Sequence, residues 1–402
     1  MSGLRKKGLF MLLNGTKIVD LSRILAGPFC TMILGDMGAE VVKIEPPVEG
    51  DPLRGQGAIK DGLSYYYASF NRNKKSITLD LYSEEGKEIL ASLIRQSDVV
   101  VDNFRPGVMT KMGFSYKRLQ ELNPGVIYCG ITGFGATGPY KDRPAFDFII
   151  QAMSGFMSLN DKEGTEPMRA APPISDLIAG LYAALGIVAA LSNRMKTGKG
   201  EEVQISMMDS LISFLGFMST NFFATGALPI RTGNDHAIVA PYGIFKASDG
   251  DVAIAPSNDQ IYKKFVAALG LTHLNDDPDF ATNDQRMINR ERIKAIVQGK
   301  IGTKTRDYWV DYLNRAGIPC GIIMNLKEVF QDPQVLHQEM VLEVEHPGHG
   351  KVRMTGFPVK VGSSPCKIRL PAPRLGEHTE EILKSLNFNQ ESIKILRDKG
   401  VI

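Results

Sequence analysis

The chain has 402 residues, 43 % of them hydrophobic and 23 % charged, with 40 glycines, as expected of an ordinary globular protein rich in tight turns. Its length favours two or three domains. The 47 basic and 44 acidic side chains leave a formal charge of only +3, which argues against an electrostatic nucleic-acid footprint.

The first half alternates strand and helix. Residues 17–21 form a short β-rich run, 26–37 have helical length and stop at Gly38, and 41–45 make the next strand. This βαβ unit of about 30 residues predicts a parallel, Rossmann-like doubly wound sheet. The pattern continues with a strand at 76–81, a helix at 83–96, a strand at 98–102, a helix at 116–122 and a strand at 126–131. A long apolar helix follows at 177–191, then a basic turn (KTGKG, 196–200), a strand at 203–206 and a helix from Asp209. Between 222 and 245 Gly, Pro and Asn punctuate the chain, marking a second domain. It starts with a hairpin (243–256), continues with helices near 259–269, 284–299 and 305–315, and adds a strand at 318–324. From 328 onward, strands at 341–345 and 351–355 precede a Pro-rich stretch and a closing helix at 379–386.

Cys30, Cys129, Cys320 and Cys366 show no CxxC spacing, so neither a zinc site nor a disulfide framework is indicated, and reduced thiols in a cytoplasmic protein fit best. The apolar run at 9–13 is too short for a signal-peptide core, and the 177–191 segment falls short of a membrane span, so a soluble protein is expected. The turn after the first strand, SRILAGP, lacks GxGxxG, and neither a Walker loop nor a GxSxG elbow occurs. His346 and His349 lie in a strand-to-strand turn that reads as solvated rather than metal-binding.

The segment PPISD (172–176) sets a carboxylate at the mouth of the long apolar helix. Two readings stay open from these residues alone. Asp176 is either an N-cap, worth about 1 kcal/mol, or a reactive carboxylate.

Other segments favour the second reading. Residues 23–29 (RILAGPF), 38–45 (GAEVVKIE), 71–77 (NRNKKSI), 102–107 (DNFRPG), 197–200 (TGKG), 233–242 and 375–379 (LGEHT) resemble the class III CoA-transferase family, the group of formyl-CoA transferases, carnitine CoA-transferases and 2-methylacyl-CoA racemases. The resemblance implies a large CoA-binding α/β domain (1–222 and 328–402), a smaller α/β domain (223–327) and an interlocked, ring-like homodimer. It implies Asp176 as the nucleophile. It implies CoA contacts at Leu25, Ala26, Leu79, Asp80, Asn103, Phe104, Lys111, Phe146 and Asp147. Arg23, Arg72 and His236 are candidates for holding a substrate carboxylate. Coenzyme A or acyl-CoA would be a substrate, with no permanently bound cofactor, no metal, and no nucleic-acid or membrane partner.

The departures narrow the reaction. Leu25 stands where formyl-CoA transferases carry Gln, and residues 235–240 (DHAIVA) replace their glycine-rich loop. Phe146 stands where the racemases carry a catalytic His, and a phenyl ring exchanges no α-proton. The expected reaction is therefore CoA transfer, from succinyl-CoA to a dicarboxylate by subgroup likeness. A racemase and a CoA-binding protein without chemistry are the alternatives.

Overall fold

Six parallel strands form one sheet in the computed structural model, which describes residues 11–402. They are β1 (Lys17–Asp20), β2 (Glu40–Glu45), β3 (Lys74–Thr78), β4 (Val99–Asp102), β5 (Ile127–Thr132) and β6 (Glu202–Ser206), in the order β3-β2-β1-β4-β5-β6. This is the doubly wound order expected from the βαβ pattern. The order reverses between β1 and β4, and such a reversal opens a crevice beyond the carboxyl ends of the strands.

Strand alternation separates two cores. Ile18, Val41, Val99 and Val101 face α1 (Ala26–Asp36) and the long apolar helix. Val19 and Val100 face α2 (Glu84–Arg95) and the C-terminal helices Thr379–Ser385 and Gln390–Asp398. The tail thus completes the face opposite α1, and burying both faces suits an all-parallel sheet. The last helix was not among the expected elements.

The long helix runs over Ile174–Thr197, beyond the expected 177–191 at both ends. Pro173 serves as its N-cap, where a missing N–H does no harm. Gly198 ends it at φ +72°. By length and composition this helix could cross a membrane. Here it packs along α1, with Ile178, Ala179, Ala183 and Ile187 in the first core. Close approach is allowed at Gly180, where a Cβ would lie 2.6 Å from the Ala26 carbonyl oxygen.

The chain divides into two units. The first takes residues up to 156, 170–215 and 334–402, and includes the hairpin β10 (Val341–His346) and β11 (Gly350–Thr355). The second takes 157–169 and 216–333, so its limits differ from the expected 223–327. Residues 157–169 join it through a bridge between Lys162 and Thr232. Its antiparallel sheet is β7 (Gly243–Ala247), β8 (Gly250–Ile254) and β9 (Cys320–Ile322), in the order β9-β8-β7. The helix expected at 284–299 is two, Asn283–Ile288 and Arg290–Ile301, broken at Asn289.

Candidate active site

The turn from β1 to α1 and the loop after β4 flank the reversal point, where the sheet order places a ligand. Arg23 on the turn is exposed, and its guanidinium lies 5.0 Å from the centre of the Phe104 ring. Arg23, Leu79, Asp80, Phe104 and Met112 line a cavity of about 120 Å3. An unpaired cation stacked on an aromatic ring at such a mouth suits a phosphate beside a flat base.

Three of the expected contacts have other duties. The Asn103 carboxamide is committed to the turn, accepting from the Arg23 N–H (2.9 Å) and donating to the Arg23 carbonyl (2.7 Å). The Asp80 carboxylate accepts from the Tyr82 N–H at 2.9 Å. Asp147, the first residue of α3 (Asp147–Met153), is buried and accepts from the Ser175 N–H (3.0 Å), the Ser175 hydroxyl (2.9 Å) and Gln151 Nε2 (2.7 Å). Phe146 caps that helix and is exposed. Lys111 is exposed at the end of the short helix Val108–Lys111 and does not line the cavity.

Asp176 stands third in α4 (Ile174–Thr197), and no side chain caps that helix. The N-cap reading therefore falls. Leu25 and Ala26 are buried at the head of α1, where the Ala26 N–H faces the Asp176 carboxylate. Two helix N-termini thus address one half-buried carboxyl group, and among the described residues no cation pairs with it. Burial pushes the Asp176 carboxyl up to about 7, the Asp147 charge adds to the rise, and the Ala26 N–H opposes it. Tyr66 was missed in the sequence. Its phenol is raised by burial and then by the charges of Asp176, Asp147 and Asp51, which places it near the same carboxylates.

Arg72 must be corrected as a substrate-binding candidate. Its side chain is buried, with Nη2 2.7 Å from Asp36 Oδ2 and Nη1 donating to the Thr355 carbonyl at 2.8 Å. It holds β11 to the sheet domain. His236 lies in the second unit, its ring stacked 6.1 Å from Phe217 and tilted 4.9 Å from Tyr242. The loop around it is anchored from the two helices Asn283–Ile288 and Arg290–Ile301. Asn283 donates to the Ile238 carbonyl (2.9 Å), Arg286 to Ala240 (2.7 Å) and Arg290 to His236 (2.8 Å), while Lys294 pairs with Asp235 (2.7 Å). His346 is buried with Nδ1 3.3 Å from the Val344 carbonyl. Among the described residues no cluster of three His, Cys, Asp or Glu could hold a metal.

Beside this geometry stands a match along almost the whole sequence: the model of CoA-transferase family III covers residues 13–379. The chain belongs to CoA-transferase family III. It is a CoA-transferase. Succinyl-CoA:glutarate CoA-transferase of Homo sapiens is 38 % identical over 97 % of this chain and 90 % of its own length. Acetyl-CoA:oxalate CoA-transferase of Acetobacter aceti is 37 % identical over 94 % and 96 %. The crystal structure of a CAIB/BAIF family protein from Brucella suis superposes with a TM-score of 0.83 at 37 % identity, covering 94 % of this chain and 99 % of that one.

Proposed function

We propose that this CoA-transferase moves coenzyme A from an acyl-CoA, succinyl-CoA by preference, to a dicarboxylic acid, with Asp176 as the nucleophile. The observation that carries the reading is the unpaired Asp176 carboxyl at two helix N-termini, ionised above about pH 7 and facing no competing cation. The Asp176 carboxylate attacks the thioester carbonyl, the C–S bond breaks, and an acyl-aspartyl anhydride and CoA thiolate result. The thiolate attacks the aspartyl carbonyl, releasing the first acid and leaving an aspartyl-CoA thioester. The acceptor carboxylate attacks that thioester, giving a second anhydride and thiolate. Attack of the thiolate on the acceptor's carbonyl forms the new acyl-CoA and frees Asp176. Overall one thioester is exchanged for another with little free-energy change, and covalent catalysis divides that exchange into four steps.

Two features support the CoA and acceptor assignments. Arg23 over Phe104 offers a cation and a ring at the cavity beside the turn. The relatives' names pair acyl-CoA donors with glutarate or oxalate, both dicarboxylic acids. A racemase is disfavoured because Phe146 provides no base. The proposal extends to an obligate homodimer, ring-like by family resemblance. Its support is the apolar face of α4, where Leu181, Leu185, Val188 and Met195 are exposed at helical spacing beside Phe214. Sedimentation showing a folded, active monomer would refute the dimer.

The test is a panel of succinyl-CoA and acetyl-CoA donors against mono- and dicarboxylate acceptors, with hydroxylamine trapping. Acyl-CoA alone should leave an adduct that hydroxylamine converts to a hydroxamate at Asp176. Full transfer by Asp176→Ser would refute the nucleophile.

A further inference from the structure

The β1–α1 turn is held at one backbone polar group after another. The Ser22 N–H donates to Asp20 (3.0 Å) and the Ser22 carbonyl accepts from Lys43 Nζ (2.8 Å). Asn103 takes both polar groups of Arg23. The Ile24 N–H donates to both oxygens of Asp51, each at 3.2 Å. Ile24 has φ +67°, a left-handed conformation that is an outlier for a β-branched residue. Such strain persists only where the surroundings over-determine it, and it concentrates at functional sites. Asp51 supplies that determination. Its carboxylate lies 2.9 Å from Lys43 Nζ, with both side chains 1 % exposed, and it also accepts from the Leu53 N–H at 2.9 Å. Two residues beyond Ile24 stands Ala26, against whose carbonyl Gly180 packs, and Asp176 lies four residues before Gly180 on the same face of α4, beside the head of α1.

We propose that Asp51 is a positioning residue: its carboxylate, paired with Lys43, locks Ile24 in the left-handed turn and so aims the Ala26 N–H at the Asp176 carboxylate. Only the rate consequence rests on Asp176 being the nucleophile; the positioning belongs to the free enzyme. Asp176 is faced by Asp147 from α3 and by Tyr66 from the helix Tyr65–Asn71. Around Asp51 stand Lys43 from β2, Lys74 from β3, Tyr66 and Tyr67 from that helix, and Arg54 from its own turn. Glu45 on β2 takes the Asp51 N–H at 3.0 Å. Lys43 is the one cation among them that is ion-paired with Asp51.

The experiment is a difference infrared titration of the Asp176 carboxyl, each protein being subtracted from its Asp176→Asn counterpart. It is run beside the pH profile of kcat/KM for acyl-CoA. Moving the Ala26 N–H away from Asp176 should raise the proton affinity of that carboxyl, by up to about tenfold for one donor to the charged form. Asp51→Ala should therefore move the titration midpoint up by about one pH unit. Activity should fall about tenfold at pH 6 and by less than about twofold at pH 9. Ile24→Gly in that background, which takes φ +67° freely, should return part of the shift. If Asp51→Ala does not fold, Asp51→Asn decides, since it keeps the shape and one acceptor but loses the pairing with Lys43; a smaller upward shift is expected. An unmoved midpoint in the folded variant, or a loss of activity equal at all pH values, overturns the positioning. A wild type that titrates as described but yields no hydroxamate overturns the nucleophile instead, and leaves the infrared result to decide the role of Asp51.

Discussion

Replacing Asp176 with asparagine should make the free protein more stable at alkaline pH, not less. Unfolded, this carboxyl loses its proton near 3.8, whereas in the fold it keeps it to about 7. Between those values the native state binds a proton that the unfolded state does not, so the contribution of Asp176 to stability is full below about pH 4 and is lost as pH rises through 7. A tenfold change in proton affinity is worth about 1.4 kcal/mol, which bounds the loss at about 4 kcal/mol. Partial exposure screens the charge, and about 2 kcal/mol is the working figure. The amide of Asp176→Asn has the same shape and no charge to desolvate. Urea unfolding of both proteins at equal concentration, from pH 4 to 8.5, measures the difference. It should be near zero at pH 4, grow in favour of the variant, and level off above about pH 8. A pH-independent difference, or a variant less stable at pH 8, would refute the argument that burial without a cation raises this group.

Transfer activity should fall by at least about a thousandfold in Asp176→Asn, as expected for loss of a covalent nucleophile, while CoA binding measured by calorimetry is retained. In the wild type, kcat/KM for acyl-CoA should drop about tenfold per pH unit below 7, because only the ionised carboxylate attacks. Gly180→Ala should destabilise the fold by about 1–3 kcal/mol, since its Cβ would meet the Ala26 carbonyl oxygen at 2.6 Å, and thermal unfolding reads the loss. Arg72→Ala leaves Asp36 buried and unpaired, which should cost about 3–5 kcal/mol with the KM for the acceptor unchanged in protein that remains folded.

The sheet was legible because short β-branched runs, such as 18–19, 41–42 and 99–101, alternate with segments of helical length. The parallel, doubly wound character followed from the βαβ unit, whereas the order of the strands comes from the fold. The helix Gln390–Asp398 was missed although its signals are present. Asn389 caps it by accepting from the Ser392 N–H at 2.8 Å, and Ile393 and Leu396 are buried a turn apart. The short spacing after the 379–386 pattern hid it. The split at Asn289 was not legible, since Arg290–Ile301 continues the same polar-apolar rhythm after a single residue outside helical geometry. The unit boundary at 157–169 depends on long-range pairing with residues 231–233, which no local pattern announces.

The site was legible in its parts and not in its connections. Asp176 stood out as a carboxylate before an apolar run, but its neighbour Asp147 is 29 positions away and joins it only through the Ser175 backbone and hydroxyl. Asn103 and Arg72 look in the sequence like groups waiting for a ligand; the fold uses one to clamp a turn and the other to pair Asp36. Lys43 and Glu45 gave a readable signal that was not taken up. Charges inside a strand buried on both faces must find partners, and they do, in Asp51 and Arg54. These pairs surround the turn, whereas Asp176 itself is left without a cation. That contrast has a chemical reason in the proposed reaction. A cation beside the nucleophile would stabilise the ground-state carboxylate and make it a weaker base and a poorer attacker. The paired charges therefore hold the backbone, and the carboxylate that forms the acyl bond is stabilised only by helix N-termini, whose partial charges favour ionisation without binding the anion tightly.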